Sequence, residues 1–173
     1  VSGHFKWGGV LKMRIKEVVG VGLSFVIVFS GLGVVSAEDT QEALVEEVGV
    51  IPITVYRSPT CGCCGQWIEH LKAHAFVVND IVTSDMDQVK ERFGISPELA
   101  SCHTARVDGY FIEGHVPAED IVRLLIKKPA VKGLTVPGMP RGTPGMEMGT
   151  VRDDFDVYVV GQKTVKVFNQ YRN

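Results

Sequence analysis

Apolar runs rich in β-branched residues alternate along the chain with segments of helical period, and this pattern predicts an α/β domain. The apolar runs predict strands over 51–56, 76–78, 81–82, 105–107, 110–112, 156–160 and 164–168. The helical patterns predict helices over 66–75, 86–93 and 117–127. Residues 133–150 are rich in Pro and Gly and have no clear period, so we expect a loop there.

The order of these elements is typical of a thioredoxin-like domain. A strand, a cysteine-bearing turn, a helix, a strand, a second helix, a hairpin and a third helix follow one another between residues 51 and 127. The hairpin has Asp108-Gly109 at its turn, a pair that favours tight β-turns. We therefore expect a thioredoxin-like mixed sheet flanked by helices, with an added Pro/Gly/Met loop and a C-terminal hairpin.

The N-terminal region has the pattern of a secretory signal peptide at 13–37. Met13 and Arg14 begin a short basic stretch, an uncharged apolar run covers 18–35, and small residues precede a cleavage position after Ala37. We therefore expect export to the periplasm. The alternative is an uncleaved membrane anchor, since the apolar run is about long enough to span a bilayer at ~20 residues.

The residues outside the predicted signal peptide fall into three segments. We interpret residues 1–12 as a gene-model extension, residues 38–50 as an N-terminal segment, and residues 51–173 as one metal-binding domain. The full chain carries 18 Lys and Arg against 20 Asp and Glu, and loss of the basic leader leaves the exported part more acidic. An acidic balance without basic clusters argues against nucleic acid and anionic membrane surfaces as partners.

Three thiols lie within four residues at the turn Cys61-Gly62-Cys63-Cys64, between a predicted strand and a predicted helix. A helix N-terminus stabilises thiolate, so we expect a lowered pKa for Cys61. The third thiol, Cys63, would compete in a two-thiol exchange cycle. Cys102 should lie before the strand that follows the second helix, in the loop that faces the cysteine turn in thioredoxin-like folds. There it would complete a Cys₄ constellation, and the alternative is a small buried thiol.

The remaining candidate ligands are histidines and methionines. His103 adjoins Cys102, and His115 lies just before a predicted helix, where we expect it to approach the same face. Met139, Met146 and Met148 lie in the glycine-rich loop. Thiolate with thioether selects Cu(I), although adaptable packing is the alternative for the methionines. His70 and His74 have metal-binding spacing, but a solvated helix face is the favoured interpretation for that pair.

Four blocks of the chain resemble the CopG-type copper-resistance proteins, a family of bacterial exported metal-binding proteins. They are YRSPTCGCC at 56–64, SCHT at 101–104, GYFIEGHVP at 109–117 and GLTVPGMPRGTPGME at 133–147. The resemblance covers roughly 51–168 and implies a periplasmic thioredoxin-like domain that binds copper through its cysteine cluster. It also implies a redox role on copper and association with other copper-handling proteins.

Three functional hypotheses follow. The first is a periplasmic copper-binding protein for copper tolerance, with Cu(I) at the four cysteines and with passive binding and Cu(I)/Cu(II) conversion both left open. The second is a thiol–disulfide oxidoreductase that uses Cys61 and Cys64. In the third, two disulfides only stabilise the fold. No serine–histidine–acid triad, phosphate loop or dinucleotide fingerprint is recognisable in the chain.

Overall fold

The structure, a computed structural model, describes residues 49–172. The predicted signal peptide at 13–37, the segment at 1–12 and most of the segment at 38–50 lie outside the described residues, so these assignments stay predictions. Within the described part, seven strands, three α-helices and one short 3₁₀ helix form a mixed α/β domain. The predicted α/β class with a mixed sheet is confirmed, and the thioredoxin-like assignment stays a prediction.

The strands form one sheet in the order β2-β1-β3-β4-β5-β6-β7. Their bounds are β1 Ile51–Arg57, β2 Phe76–Val82, β3 His103–Val107, β4 Tyr110–Glu113, β5 Gly133–Thr135, β6 Phe155–Val160 and β7 Val165–Tyr171. The β1–β2 and β4–β5 pairs are parallel, and every other neighbouring pair is antiparallel. The predicted hairpins are present at β3–β4 and β6–β7, and Asp108 and Gly109 both have positive φ at the first turn.

Three α-helices pack on the sheet: α1 Gly62–Lys72, α2 Met86–Phe93 and α3 Ala118–Lys127. The N-cap of α2 is Asp85, whose side chain accepts a hydrogen bond from the Gln88 N–H, and Gly94 ends the helix in the left-handed conformation. Trp67, Ile68 and Leu71 form the buried face of α1, as their spacing predicts. None of the helices within 49–172 has the length and apolar character needed to span a membrane.

Several boundaries differ from the predictions. The helix predicted to end at residue 75 ends at Lys72, the strand predicted from residue 105 begins at His103, and the last strand extends to Tyr171. Three further differences have a local reason. The predicted helix at 66–75 begins earlier, at Gly62, because its first turn is fixed by burial of Cys64 although glycine disfavours helix. The predicted break at Asn79-Asp80 is absent, since β2 is an edge strand whose polar residues face solvent along one continuous pairing with β1. The predicted loop at 133–150 begins with the buried strand β5, which pairs with both β4 and β6.

The sheet directions bring several connections to one end of the domain. Since β1, β4 and β5 run the same way, their carboxyl ends meet at one end of the sheet, together with the start of the antiparallel β3. The turn before α1, the segment before β3 and the turn after β4 therefore lie close together. The loop from β5 to β6 leaves from this end and returns to it.

Candidate metal centre

The four cysteine sulfurs converge at this end of the sheet. The sulfurs of Cys61, Cys63, Cys64 and Cys102 all lie within 4.8 Å of one another. The Sγ atom of Cys102 is 3.9 Å from that of Cys63 and 3.7 Å from that of Cys64. The predicted convergence of all four cysteines is therefore observed, although the chain separates Cys102 from the turn by almost forty residues.

Cys61 and Cys64 form a disulfide, and Cys63 and Cys102 are free thiols. Cys61 is the N-cap of α1, so the disulfide closes directly on the first turn of that helix. The expected lowered pKa of Cys61 stays a prediction because this sulfur is bonded. A pair of structural disulfides is not observed among the described residues, since Cys63 and Cys102 are unlinked.

Two buried histidines adjoin Cys102. Its Sγ atom lies 3.2 Å from His103 Nδ1 and 3.2 Å from His115 Nε2, so these three residues form a second group of potential ligands that shares Cys102 with the first. His115 Nδ1 lies 2.8 Å from the carbonyl oxygen of Pro144. When Nδ1 donates to this carbonyl, the lone pair of Nε2 is directed at the cluster.

Burial governs the electrostatics of this group. Desolvation, followed by the influence of Cys63, raises the pKa of the Cys102 thiol to about 12. Burial lowers the pKa of His103 well below its ordinary value, and His115 and Lys90 add to this effect. Burial also lowers the pKa of His115. Without an added cation, the site therefore favours a neutral Cys102 thiol beside two neutral imidazoles.

One polar atom of the site has no hydrogen-bond partner. His103 Nε2 is fully buried and unpartnered, and the ring packs 4.3 Å from that of Trp67 between centroids. Buried polar atoms are normally satisfied, so an imidazole nitrogen without a partner needs an explanation. Core packing alone therefore does not account for the group formed by Cys102, His103 and His115.

The glycine-rich loop covers one side of the cluster. The Ser101 hydroxyl donates to the carbonyl of Gly138, and Gly145 packs directly on the backbone of Cys63 and Trp67. Of the three predicted loop ligands, Met146 is buried, whereas Met139 and Met148 are exposed. The role of these thioethers in binding stays a prediction.

The predicted helix pair His70 and His74 lies outside the centre. His70 Nε2 accepts a hydrogen bond from the Ala118 N–H at the start of α3, and His74 Nδ1 contacts the carbonyl of His70. His70 is thus half-buried between two helices instead of fully solvated, because the start of α3 packs over it.

Sequence reasoning missed Glu113. Its carboxylate is fully buried beside the centre, where it bonds the Ser101 N–H, the Thr104 hydroxyl and the Lys90 ammonium. Glu113 is the last residue of β4, and the sequence pattern of this strand does not indicate a buried acid. Its position between Phe111-Ile112 and Gly114-His115, inside an apolar stretch, is the available signal.

Comparison with known proteins identifies relatives of the whole domain. A family model described as a protein of unknown function, DUF411, matches residues 99–146. A solved structure of copper resistance protein CopG, form 2, is 44% identical, covers 70% of this chain and 98% of its own, and has a TM-score of 0.68. Form 1 is 45% identical, covers 71% and 98%, and has a TM-score of 0.66. A search of curated proteins found no match. With this identity over nearly the full length of the solved relatives, the chain belongs to the CopG-type family of copper-resistance proteins.

Proposed function

We propose that this chain is a periplasmic copper-binding protein for copper tolerance, with copper ions as its cargo at the cysteine–histidine centre. The observation that carries the proposal is the convergence of four sulfurs within 4.8 Å, with two imidazoles against one of them. The relatives described as copper resistance proteins support copper as the metal. Export rests on the leader predicted at 13–37.

Once the Cys61–Cys64 disulfide is reduced, the donor set fits a soft ion. Thiolate sulfur selects Cu(I), while neutral imidazole accepts both copper oxidation states. His103 Nδ1 and His115 Nε2 each lie 3.2 Å from the Cys102 sulfur, so these two nitrogens are the ones that can supply lone pairs to an ion at the cluster. Coordination would also release the Cys102 proton, because a bound cation favours thiolate.

Conversion between copper oxidation states needs a store of electrons, and we place that store at the Cys61–Cys64 pair. Two thiolates at these positions give up one electron each and form the disulfide, while two Cu(II) ions become two Cu(I) ions. The reverse direction returns both electrons to the sulfurs. The same proposal includes exchange of copper with other periplasmic copper-handling proteins.

The test is an anaerobic titration of the fully reduced protein with Cu(I) against a competing chelator. We expect uptake of more than one copper per chain, with a marked loss in Cys63→Ser because that variant removes one of four converging sulfurs. Weak uptake that does not depend on Cys63 would contradict the proposal.

The disulfide itself favours a second candidate, a thiol–disulfide oxidoreductase. A C-x-x-C disulfide at a helix N-terminus is the usual reactive element of such enzymes. In this case Cys63→Ser should retain exchange with a dithiol substrate, since Cys61 and Cys64 are untouched. Full exchange activity in that variant, together with absence of copper uptake in the unmodified chain, would favour the second candidate.

A further inference from the structure

Glu113, the last residue of β4, is a carboxylate with no exposed surface. Its Oε1 atom accepts hydrogen bonds from Lys90 Nζ at 2.5 Å and from the Ser101 N–H at 2.6 Å. Its Oε2 atom accepts one from the Thr104 hydroxyl at 2.6 Å. Burial of a charge is unfavourable unless partners compensate it, so such a group needs a reason to be retained.

Two of these partners bracket the dipeptide that completes the centre. Ser101 directly precedes Cys102, and Thr104 directly follows His103. One carboxylate therefore fixes both ends of the Cys102-His103 segment. The third partner, Lys90 on α2, compensates the charge and also donates to Thr104.

The turn after Glu113 holds the same segment from the other side. The Gly114 N–H donates to the carbonyl of His103 at 3.0 Å. Gly114 has φ +71°, and an added Cβ would lie 2.6 Å from the Cβ atom of Ser101 and 2.5 Å from the carbonyl oxygen of Val136. The strand end therefore approaches Ser101 as closely as a backbone without a side chain allows.

We propose that Glu113 is the positioning residue that sets Cys102 against the cysteine turn and between the two imidazoles. Its biological meaning rests on the proposed function, whereas the positioning itself does not require copper.

The chemistry of the partners explains why an acid is needed. The Ser101 N–H and the Lys90 ammonium are donors and cannot accept, and the Thr104 hydroxyl donates as well. A carboxylate offers acceptors to all three. The amide of glutamine has the same shape but is uncharged and turns one acceptor into a donor. Glu113→Gln therefore removes the countercharge of Lys90 and forces the Thr104 hydroxyl to reverse its hydrogen bond, which loosens the segment.

The chain contains a matched control in Asp120 on α3. Asp120 is also buried, at 2% exposure, and is bound by Arg123, Asn169 and Tyr171. These contacts attach α3 to the C-terminal strand and do not involve Cys102. Asp120→Asn should therefore weaken the fold through a comparable buried network without moving the centre.

The test is the alkylation rate of each free thiol in the native protein, followed by peptide mass spectrometry. In the unmodified chain with its Cys61–Cys64 disulfide, Cys63 and Cys102 are the thiols that react among the described residues. We expect Glu113→Gln to raise the rate at Cys102 severalfold and to leave Cys63 nearly unchanged. Thr104→Val, which removes one of the three bonds, should give a smaller increase in the same direction and serves if Glu113→Gln does not fold.

An unchanged Cys102 rate in both variants, or an equal increase in Asp120→Asn, would overturn the positioning role. A second measurement uses Cu(I) titration of the reduced proteins, where Glu113→Gln should lower affinity by about 10–100-fold, as for other residues that orient metal ligands. Equal affinities would also overturn the role. If the unmodified chain takes up no Cu(I), the proposed function fails, while the alkylation rates still decide the positioning.

Discussion

At the scale of single residues, Gly145 shows how closely the covering loop contacts the cysteine helix. Its φ is +82°, a conformation that L side chains rarely adopt. A Cβ atom at this position would also lie 2.6 Å from the backbone nitrogen of Trp67 and 3.1 Å from the carbonyl oxygen of Cys63. Backbone conformation and close approach therefore both require glycine here.

Replacement of Gly145 by alanine should destabilise the protein more than its backbone conformation explains. Gly109 has a similar φ of +85° with nothing within 4 Å of its Cβ position, so Gly109→Ala isolates the conformational part, about 1–2 kcal/mol. Overpacking should add about 1–3 kcal/mol in Gly145→Ala. Urea unfolding of both variants checks this, and equal losses would show that the loop can withdraw from α1 freely.

At the scale of elements, helix α1 is bonded to the segment that follows His115. Trp67 Nε1 donates to the carbonyl of Val116 at 2.9 Å, and His70 Nε2 accepts from the Ala118 N–H at 3.1 Å. The helix that carries the cysteine turn thus also fixes the start of α3. This arrangement links the positions of the sulfur and imidazole donors.

The stability of this contact should depend on pH through His70. Burial, followed by the neighbouring His74, lowers the pKa of His70, while Glu119 and Glu147 act in the opposite direction. The unfolded chain therefore binds this proton more readily, so the stabilisation is complete above a pH of about 6.5 and is lost as the pH falls below it.

Comparison of the unmodified chain with His70→Gln isolates this effect. Urea unfolding between pH 5 and pH 8 should show a steeper loss in the unmodified chain at the acidic end. The difference between the two slopes should be at most about 1.4 kcal/mol per pH unit, the limit for one proton. Parallel pH curves for the two proteins would contradict the assignment to His70.

The elements that the sequence predicts well contain local signals such as capping residues. The elements that it misses form because of packing against other parts of the fold. The cap at Asp85 and the stop at Gly94 determine α2 locally. By contrast, β5 has three residues and no alternation, because it is buried between two strands. The first turn of α1 contains two glycines, so only tertiary packing of Cys64 indicates helix there.

The same distinction applies to the centre. The cysteine spacing and the neighbouring histidines are visible in the sequence, whereas the strand order that joins them is known only from the structure. Glu113 was missed because a single acid at a strand end predicts exposure, and its burial depends on donors from α2 and from the segment before β3. The apolar residues before Glu113 favour burial, but they do not indicate which donors bind the carboxylate.

At the scale of the whole molecule, the candidate ligands come from three chain segments that meet at one end of the sheet. They are the turn at 61–64, the start of β3 at 102–103 and the residue at 115. A bound ion would therefore join segments that are distant in sequence. Ligands that bind the folded chain alone stabilise it by mass action.

Copper should accordingly raise the thermal stability of the reduced protein. At a free Cu(I) concentration of 100 times Kd, fixed by a chelator, we expect a gain of about 2.7 kcal/mol. Scanning calorimetry of the reduced chain with and without Cu(I) measures it, and Cys63→Ser should gain much less. A midpoint that does not respond to Cu(I) would contradict binding across the three segments.

The buried indole of Trp67 has a practical consequence for the whole protein. It is buried, its ring centroid lies 4.3 Å from that of His103, and it belongs to the helix that carries the thiols. The other tryptophan of the chain, Trp7, lies ahead of the predicted cleavage position. The tryptophan fluorescence of the exported protein would then come from one indole beside the centre. Because excited indole is quenched by adjacent disulfides and transition-metal ions, its emission intensity should follow the chemical state of the cysteines in real time without any attached label.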